Sequence, residues 1–266
     1  MALFELELLG EGVESRYRKM RPEVESMPWG TLDVRGIPEP VLVVARKAWT
    51  GAAFQEHRTG IACAASLRAL MECRAPIDLV GMATRFPMDE MVHVELCARM
   101  AMELGGATEI EYDPAAVIDD AEADRSPLVR AADLIVRFFC VGEALSIPLL
   151  RGTWRAARHP LPRAVLGRIV KDEAAHGTFG FTFLDWALPQ LGAEDLRYLG
   201  HRADAVVEGI HRQWDVVRKG GSRGDGDVPG DALAWMQSDA YLKLAARSLE
   251  DKVRRPLARR GIALSA

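Results

Sequence analysis

The chain lacks several features that would direct it to particular functions. Its 266 residues contain no apolar run of the ~18 residues that a membrane span requires, so no membrane partner is expected. Cysteine is sparse: the four residues (Cys63, Cys73, Cys97 and Cys140) form no C-x-x-C pair. That spacing argues against a disulfide framework, a zinc ribbon or a built-in rubredoxin-type iron centre. Electrons for any redox chemistry would have to come from outside the chain. The opening Met1-Ala-Leu-Phe-Glu-Leu-Glu carries acid where a signal peptide carries base, and it has no long apolar core behind it. A cytoplasmic location is the expectation. The net charge of −4 on a mixed surface offers no basic stripe, so nucleic acid is not an expected partner.

What is present is helical. Hydrophobic residues make up 49% of the chain, enough for a globular core. Residues 1–40 are punctuated by Pro22, Pro28, Gly30, Gly36, Pro38 and Pro40 and read as an irregular segment, with Thr31-Leu-Asp-Val as a short strand at most. From about Val41 to Arg74 no proline occurs and apolar residues recur at helical spacing, which predicts one long helix ending before Pro76. A second helix is expected from about Ile77 to Leu104, with a kink or a short first segment at Pro87 and a stop at Gly105-Gly106.

Residues 105–126 are acidic, with Glu109, Glu111, Asp113, Asp119, Asp120, Glu122 and Asp124, and they are too many for a hairpin turn. Ser126-Pro127 opens a third helix running to about Arg158, and a fourth follows His159-Pro-Leu-Pro162 to about Leu188. Helices five (about Glu194–Lys219) and six (about Asp231–Arg259) flank a Gly/Asp-rich loop, Gly220–Asp227, expected to be mobile. The order is short turn, long crossover, short turn.

Two pentapeptides match: Asp89-Glu90-Met-Val-His93 and Asp172-Glu173-Ala-Ala-His176. Glu and His three apart share a helix face and can grip one ion. A lone Glu-x-x-His is weak evidence; with 20 Glu and 6 His, chance supplies roughly half an occurrence. A third copy, Glu208-Gly-Ile-His211, lacks the leading Asp and a partner helix, and reads as a solvated face.

The first two copies have partners at matching depth. At 1.5 Å per residue, Glu56 lies as far before the turn near Ala75 as Glu90 and His93 lie beyond it. Glu143 stands in the same relation to Glu173 and His176 across the turn near Pro160. Its surroundings, Ile135 to Ile147, are strongly apolar, and a carboxylate there is costly unless it is paired or metal-bound. Four Glu and two His thus converge, an oxygen and imidazole set without thiolate that suits iron, with manganese as the other option.

Over about residues 45–190 this pattern resembles the ferritin-like di-iron carboxylate superfamily. The resemblance implies an all-α fold: a ferritin-like four-helix bundle with one long crossover (41–190), an irregular N-terminal segment (1–40) and two additional C-terminal helices (191–266). It implies two iron ions held by Glu56, Glu90, His93, Glu143, Glu173 and His176. Asp89 and Asp172 would reach across to the partner helix's histidine.

The Asp-Glu-x-x-His form is similar to ribonucleotide reductase small subunits and bacterial multicomponent monooxygenases more than to rubrerythrins, whose Cys-rich iron domain is missing. Cys97, one turn past the first His, matches the monooxygenases, where a reductase subunit has a tyrosine. Ile147 departs from them, since they carry Thr one turn after the third-helix Glu. Ala52, Gly60, Cys97, Phe139, Ile147, Phe179, Gly180 and Phe183 are candidates to line an apolar substrate pocket, with core packing as the alternative.

The expected activity is an O₂-activating di-iron oxidase or oxygenase that hydroxylates, N-oxygenates or desaturates a small apolar or aromatic molecule. Its partners would be that substrate, O₂ and an external electron donor such as a ferredoxin or reductase, with a homodimer as a further possibility. The alternatives are a ferroxidase or iron-handling protein, and a metal-free helical interaction protein.

Overall fold

The computed structural model describes residues 1–119, 122–219, 233 and 236–265. The fold is all-α, with one two-residue antiparallel strand pair among the described residues, β1 (Ala2–Leu3) with β2 (Glu111–Tyr112). Four long helical segments form a bundle. The first is α3 (Glu39–Glu72). Its end is set by Arg74 in the left-handed region (φ 56°), with the Ala75 N–H donating back to Leu70 O at 3.0 Å. The second is broken near Pro87, as its sequence suggests, into α4 (Ile77–Ala83) and α5 (Phe86–Glu103). Pro87 falls in the first turn of α5, where a missing N–H costs nothing. Gly105 and Gly106, at φ 104° and 131°, end it.

The third segment starts with α6 (Pro127–Ile135), where the Ser126 hydroxyl accepts from the Val129 N–H at 3.3 Å. It passes through a π-helical stretch, Val136–Glu143, into α7 (Ala144–Ala156). The fourth is α8 (Pro160–Ala187), capped by His159 Nδ1 accepting from the Leu161 N–H. α3 packs along α5 and α7 along α8, and the two pairs meet through α3 with α6 and α5 with α8. The long connection between α5 and α6 is the crossover of this bundle. Among the described residues, no helix is long and apolar enough to cross a membrane.

The N-terminal segment differs from its expected irregular reading. It holds α1 (Glu11–Lys19) and α2 (Pro22–Glu25). α1 buries no side chain, so it shows no apolar periodicity; acids in its first turn and bases in its last favour it instead. The strand is not at Thr31–Val34, which is coil and turn, but at Ala2–Leu3, where β1 is tied to the crossover. A cluster of Phe4, Phe54, His57 and Tyr112 seals that tie against α3. At the other end, α9 (Ala193–Arg218), α10 (Ser238–Ser248), a second π-helical stretch (Leu249–Arg254) and α11 (Arg255–Ala258) pack on the bundle. The expected loop at Gly220–Asp227 and the start of the sixth helix at Asp231 lie outside the described residues.

The core falls into two apolar clusters. One gathers Leu70, Phe86, Phe139, Phe179 and Phe183, and the other Trp49, Leu96, Met100, Leu161 and Ile169. Along α3, α5 and α8, the residues between the clusters are the candidate ligands. Contact in the first cluster is tight at Gly180, where a Cβ would meet Cys140 Sγ at 2.7 Å, Phe139 Cβ at 2.8 Å and the Cys140 backbone N at 3.0 Å. Glycine therefore lets α8 lie directly on the π-helical stretch. We expect Gly180→Ala to destabilise the chain by about 1–3 kcal/mol, the usual cost of overpacking. Thermal denaturation followed by circular dichroism measures this; an unchanged midpoint would mean that the two elements can separate freely.

Candidate metal centre

Each candidate ligand is placed by a helix whose local sequence is unremarkable except for the ligand itself. Glu90 and His93 project from α5 and Glu173 and His176 from α8, each pair on one face at i and i+3. Glu56 comes from α3, and Glu143 ends the π-helical stretch. π-turns interrupt the regular ladder, and they recur at functional sites. All six residues are buried or nearly so; Glu56 is the most accessible, its side chain 15% exposed.

The six converge into two overlapping groups, in each of which one candidate ligand atom per residue lies within 4.8 Å of the others. One is Glu56, Glu90, His93 and Glu173; the other is Glu90, Glu143, Glu173 and His176. Glu90 and Glu173 belong to both. His93 Nδ1 stands 3.2 Å from Glu173 and 3.6 Å from both Glu56 and Glu90. His176 Nδ1 stands 3.0 Å from Glu90 and 3.2 Å from Glu173. Both Nδ1 atoms, both Glu90 oxygens and Glu173 Oε2 are buried with no hydrogen-bond partner. Buried polar atoms are nearly always satisfied, so a convergent set of orphans fits a bound cation. The donor set, carboxylate oxygen with imidazole nitrogen, has the chemistry for one.

The electrostatics show the same frustration. Burial, reinforced by Glu173 and Glu90, holds the Glu143 carboxyl far above the usual carboxylate range. Burial pushes Glu56 up to about 8, against the neighbouring His93 imidazole 3.6 Å away, which favours its charged form. For His176, burial disfavours the cation but Asp89, Glu173 and Glu90 outweigh it and push the imidazole up to about 12. For His93 the carboxylates likewise outweigh burial. Burial disfavours the Glu173 carboxylate, yet the two imidazolium groups hold it below its usual value. Without a cation, the cluster must keep protons on buried groups to balance its charge.

Asp89 and Asp172 lie where the sequence suggests. Asp172 Oδ2 is 3.3 Å from His93 Nε2, and Asp89 Oδ2 is 3.5 Å from His176 Nε2, a little long for a hydrogen bond. Each aspartate thus backs the histidine of the other helix. Glu208 is exposed beside Arg212 and His211 packs on Trp214, and neither joins the two groups.

Among the pocket candidates, Phe139, Phe179 and Phe183 are buried in the first core cluster. Gly60 and Gly180 are points of close approach: a Cβ at Gly60 would meet Met91 Cε at 2.5 Å. Cys97 is buried within the field of Glu56, His93 and Glu90, and its thiol is raised by burial and by Glu56. Ile147 is nearly buried and fills the space over Gly177, while Ala52 is half-buried against the second cluster.

Sequence reasoning missed four groups. Cys63 is buried two turns past Glu56, near Glu90, Glu143 and Glu173. Ser146 donates to Glu143 Oε2 at 3.2 Å. The Phe86 ring lies 4.3 Å from that of His176. Arg85 grips both aspartates and Arg168 grips Asp172. Helical spacing from a ligand or its aspartate (i+7, i+3 or i−4) could have found every one of them.

We expect Glu143→Ala and His176→Ala to bind metal poorly yet keep their helical content, because the helices keep their own backbone hydrogen bonds and the apolar clusters on either side of the site remain. Elemental analysis and circular dichroism on the same samples would check this. Collapse of both variants would make these side chains structural. Glu208→Ala and His211→Ala should retain metal as the parent chain does.

No protein-family model, curated protein or solved structure matches the chain.

Proposed function

We propose that the chain is a di-iron oxidase or oxygenase acting on a small apolar or aromatic molecule. The observation that carries this reading is the sharing of Glu90 and Glu173 between two buried ligand groups that each end on an orphaned histidine Nδ1. The two overlapping groups would hold two ions, with Glu90 and Glu173 available to both. Four carboxylates also match the charge of two divalent cations, which would relieve the need for protons on Glu56 and Glu143. Glu56 with His93 would hold one ion and Glu143 with His176 the other. Iron held there would supply the electrons for O₂ activation. Asp89 and Asp172 would orient the imidazoles, and Ser146 would hold Glu143 by its Oε2. The aromatic wall of Phe86, Phe139 and Phe179 would keep water from the His176 side. The electron donor would be a separate ferredoxin or reductase.

The second reading, ferroxidase or iron handling, draws support from the close packing at Gly60 and Gly180, where open space for an organic substrate would otherwise be sought. The two readings separate experimentally. We expect about two Fe(II) per chain by elemental analysis. With O₂, ascorbate and indole as an aromatic probe, product should form over many turnovers. Catalytic oxidation of excess Fe(II), with indole untouched, would favour the ferroxidase. Binding of one ion or none would remove both.

A further inference from the structure

The two metal-binding pentapeptides are parts of a longer repeat. Arg85-x-x-x-Asp89-Glu90-x-x-His93 and Arg168-x-x-x-Asp172-Glu173-x-x-His176 each place an arginine one turn before the aspartate. The i, i+4 spacing sets each guanidinium beside its own aspartate. The two arginines nevertheless make different contacts. Arg85 Nε meets Asp89 at 2.9 Å, and its Nη2 crosses to Asp172 Oδ1 at 3.2 Å, so one fork spans both aspartates. Arg168 pairs with Asp172 Oδ2 and with Glu23 of α2, 2.9 Å away. Among the described residues, Asp172, behind His93, is therefore held by two guanidiniums, and Asp89, behind His176, by one.

Arg85 itself is exposed (61%), whereas its two acceptors are 7% and 2% exposed. An exposed guanidinium adds little to stability as a surface ion pair. Its consequence lies inward, since a held aspartate fixes the imidazole whose Nε2 it faces and so aims the Nδ1 lone pair at the cluster.

We propose that Arg85 and Arg168 are positioning residues that set the two halves of the metal centre apart: Arg85 supports both histidines, and Arg168 supports His93 alone while tying α2 to that half. This rests on the cluster being a two-metal site, and it adds an inequality between the halves that the ligand set alone does not contain. The N-terminal helices are then connected to the centre through Glu23, Arg168, Asp172 and His93, each in contact with the next.

The test is stepwise binding of cobalt(II) by the full chain, by competition with a chelator, together with the visible absorption bands that report cobalt geometry. Helical content and melting of the metal-free protein are followed in parallel. Loss of an outer partner typically weakens metal binding about 10–100-fold. We expect Arg85→Gln to weaken both steps by this order and to change the cobalt bands, with metal-free melting little altered. Arg168→Gln should weaken one step only. Arg85→Lys should restore one step, because a single ammonium cannot span two carboxylates as the fork does. If Arg85→Gln fails to fold, Asp89→Asn provides the readout, since it removes the support of His176 alone and must weaken a single step. Wild-type binding steps and bands in Arg85→Gln would overturn the proposal, as would equal weakening of both steps in Arg168→Gln. Failure of the wild-type chain to bind cobalt would instead overturn the metal-site reading.

Discussion

Six ionisable side chains share the centre of this bundle, and the rest of the molecule accommodates their charge. Four carboxylates and two imidazoles divide the interior into two apolar clusters, one on either side of them along α3, α5 and α8. Such burial is unfavourable unless the charges are balanced within the site. Protons provide one balance, visible in the raised Glu56 and Glu143 carboxyls and the raised histidines. Cations provide another, and the orphaned Nδ1 and carboxylate oxygens point toward it. A helix bundle suits this task because its backbone polar groups are paired within each helix, which leaves the interior open to side-chain ligands.

The surrounding structure serves to hold that arrangement. The glycines at 60 and 180 let neighbouring segments approach to contact on either side of the cluster. The π-helical stretch that delivers Glu143 is itself braced from outside. Asp133, fully buried, is held by Arg137 from within the stretch and by Arg202 of α9 at 2.8 Å. The C-terminal helices, which lie beyond the four-segment bundle, thus touch the element that carries the candidate ligand Glu143. On the opposite side Arg21, nearly inaccessible, joins Glu25 to Glu95 and locks α2 onto α5. The additions to the bundle are bound by ion pairs as well as by apolar contacts.

The Asp-Glu-x-x-His pair, its partner glutamates and the breaks at Pro76, Gly105-Gly106 and Pro160 were legible because each depends on local geometry. Three-residue helical spacing and a fixed rise per residue carry the ligand set from sequence to space with little ambiguity. The same spacing contained Arg85, Arg168 and Phe86, but an arginine one turn from an aspartate is ordinary on a helix surface. Only the packing of α5 against α8 shows that Arg85 reaches two aspartates. The strand at Ala2–Leu3 was hidden for a related reason: two residues carry no alternation, and their partner lies more than a hundred residues away at Glu111–Tyr112.

Sequence by itself determined the helical class, the order of the four long segments with one long crossover, and the identity of the six side chains that meet. These follow from periodicity, helix-breaking residues and the cost of an unpaired carboxylate in an apolar stretch. Tertiary structure alone decided which carboxylates are shared between the two groups, that a π-helical stretch presents Glu143, and that one aspartate is held by two guanidiniums and the other by one. Those depend on distances between helices far apart in the chain, and no local spacing rule fixes such distances; the packing of side chains between the helices does.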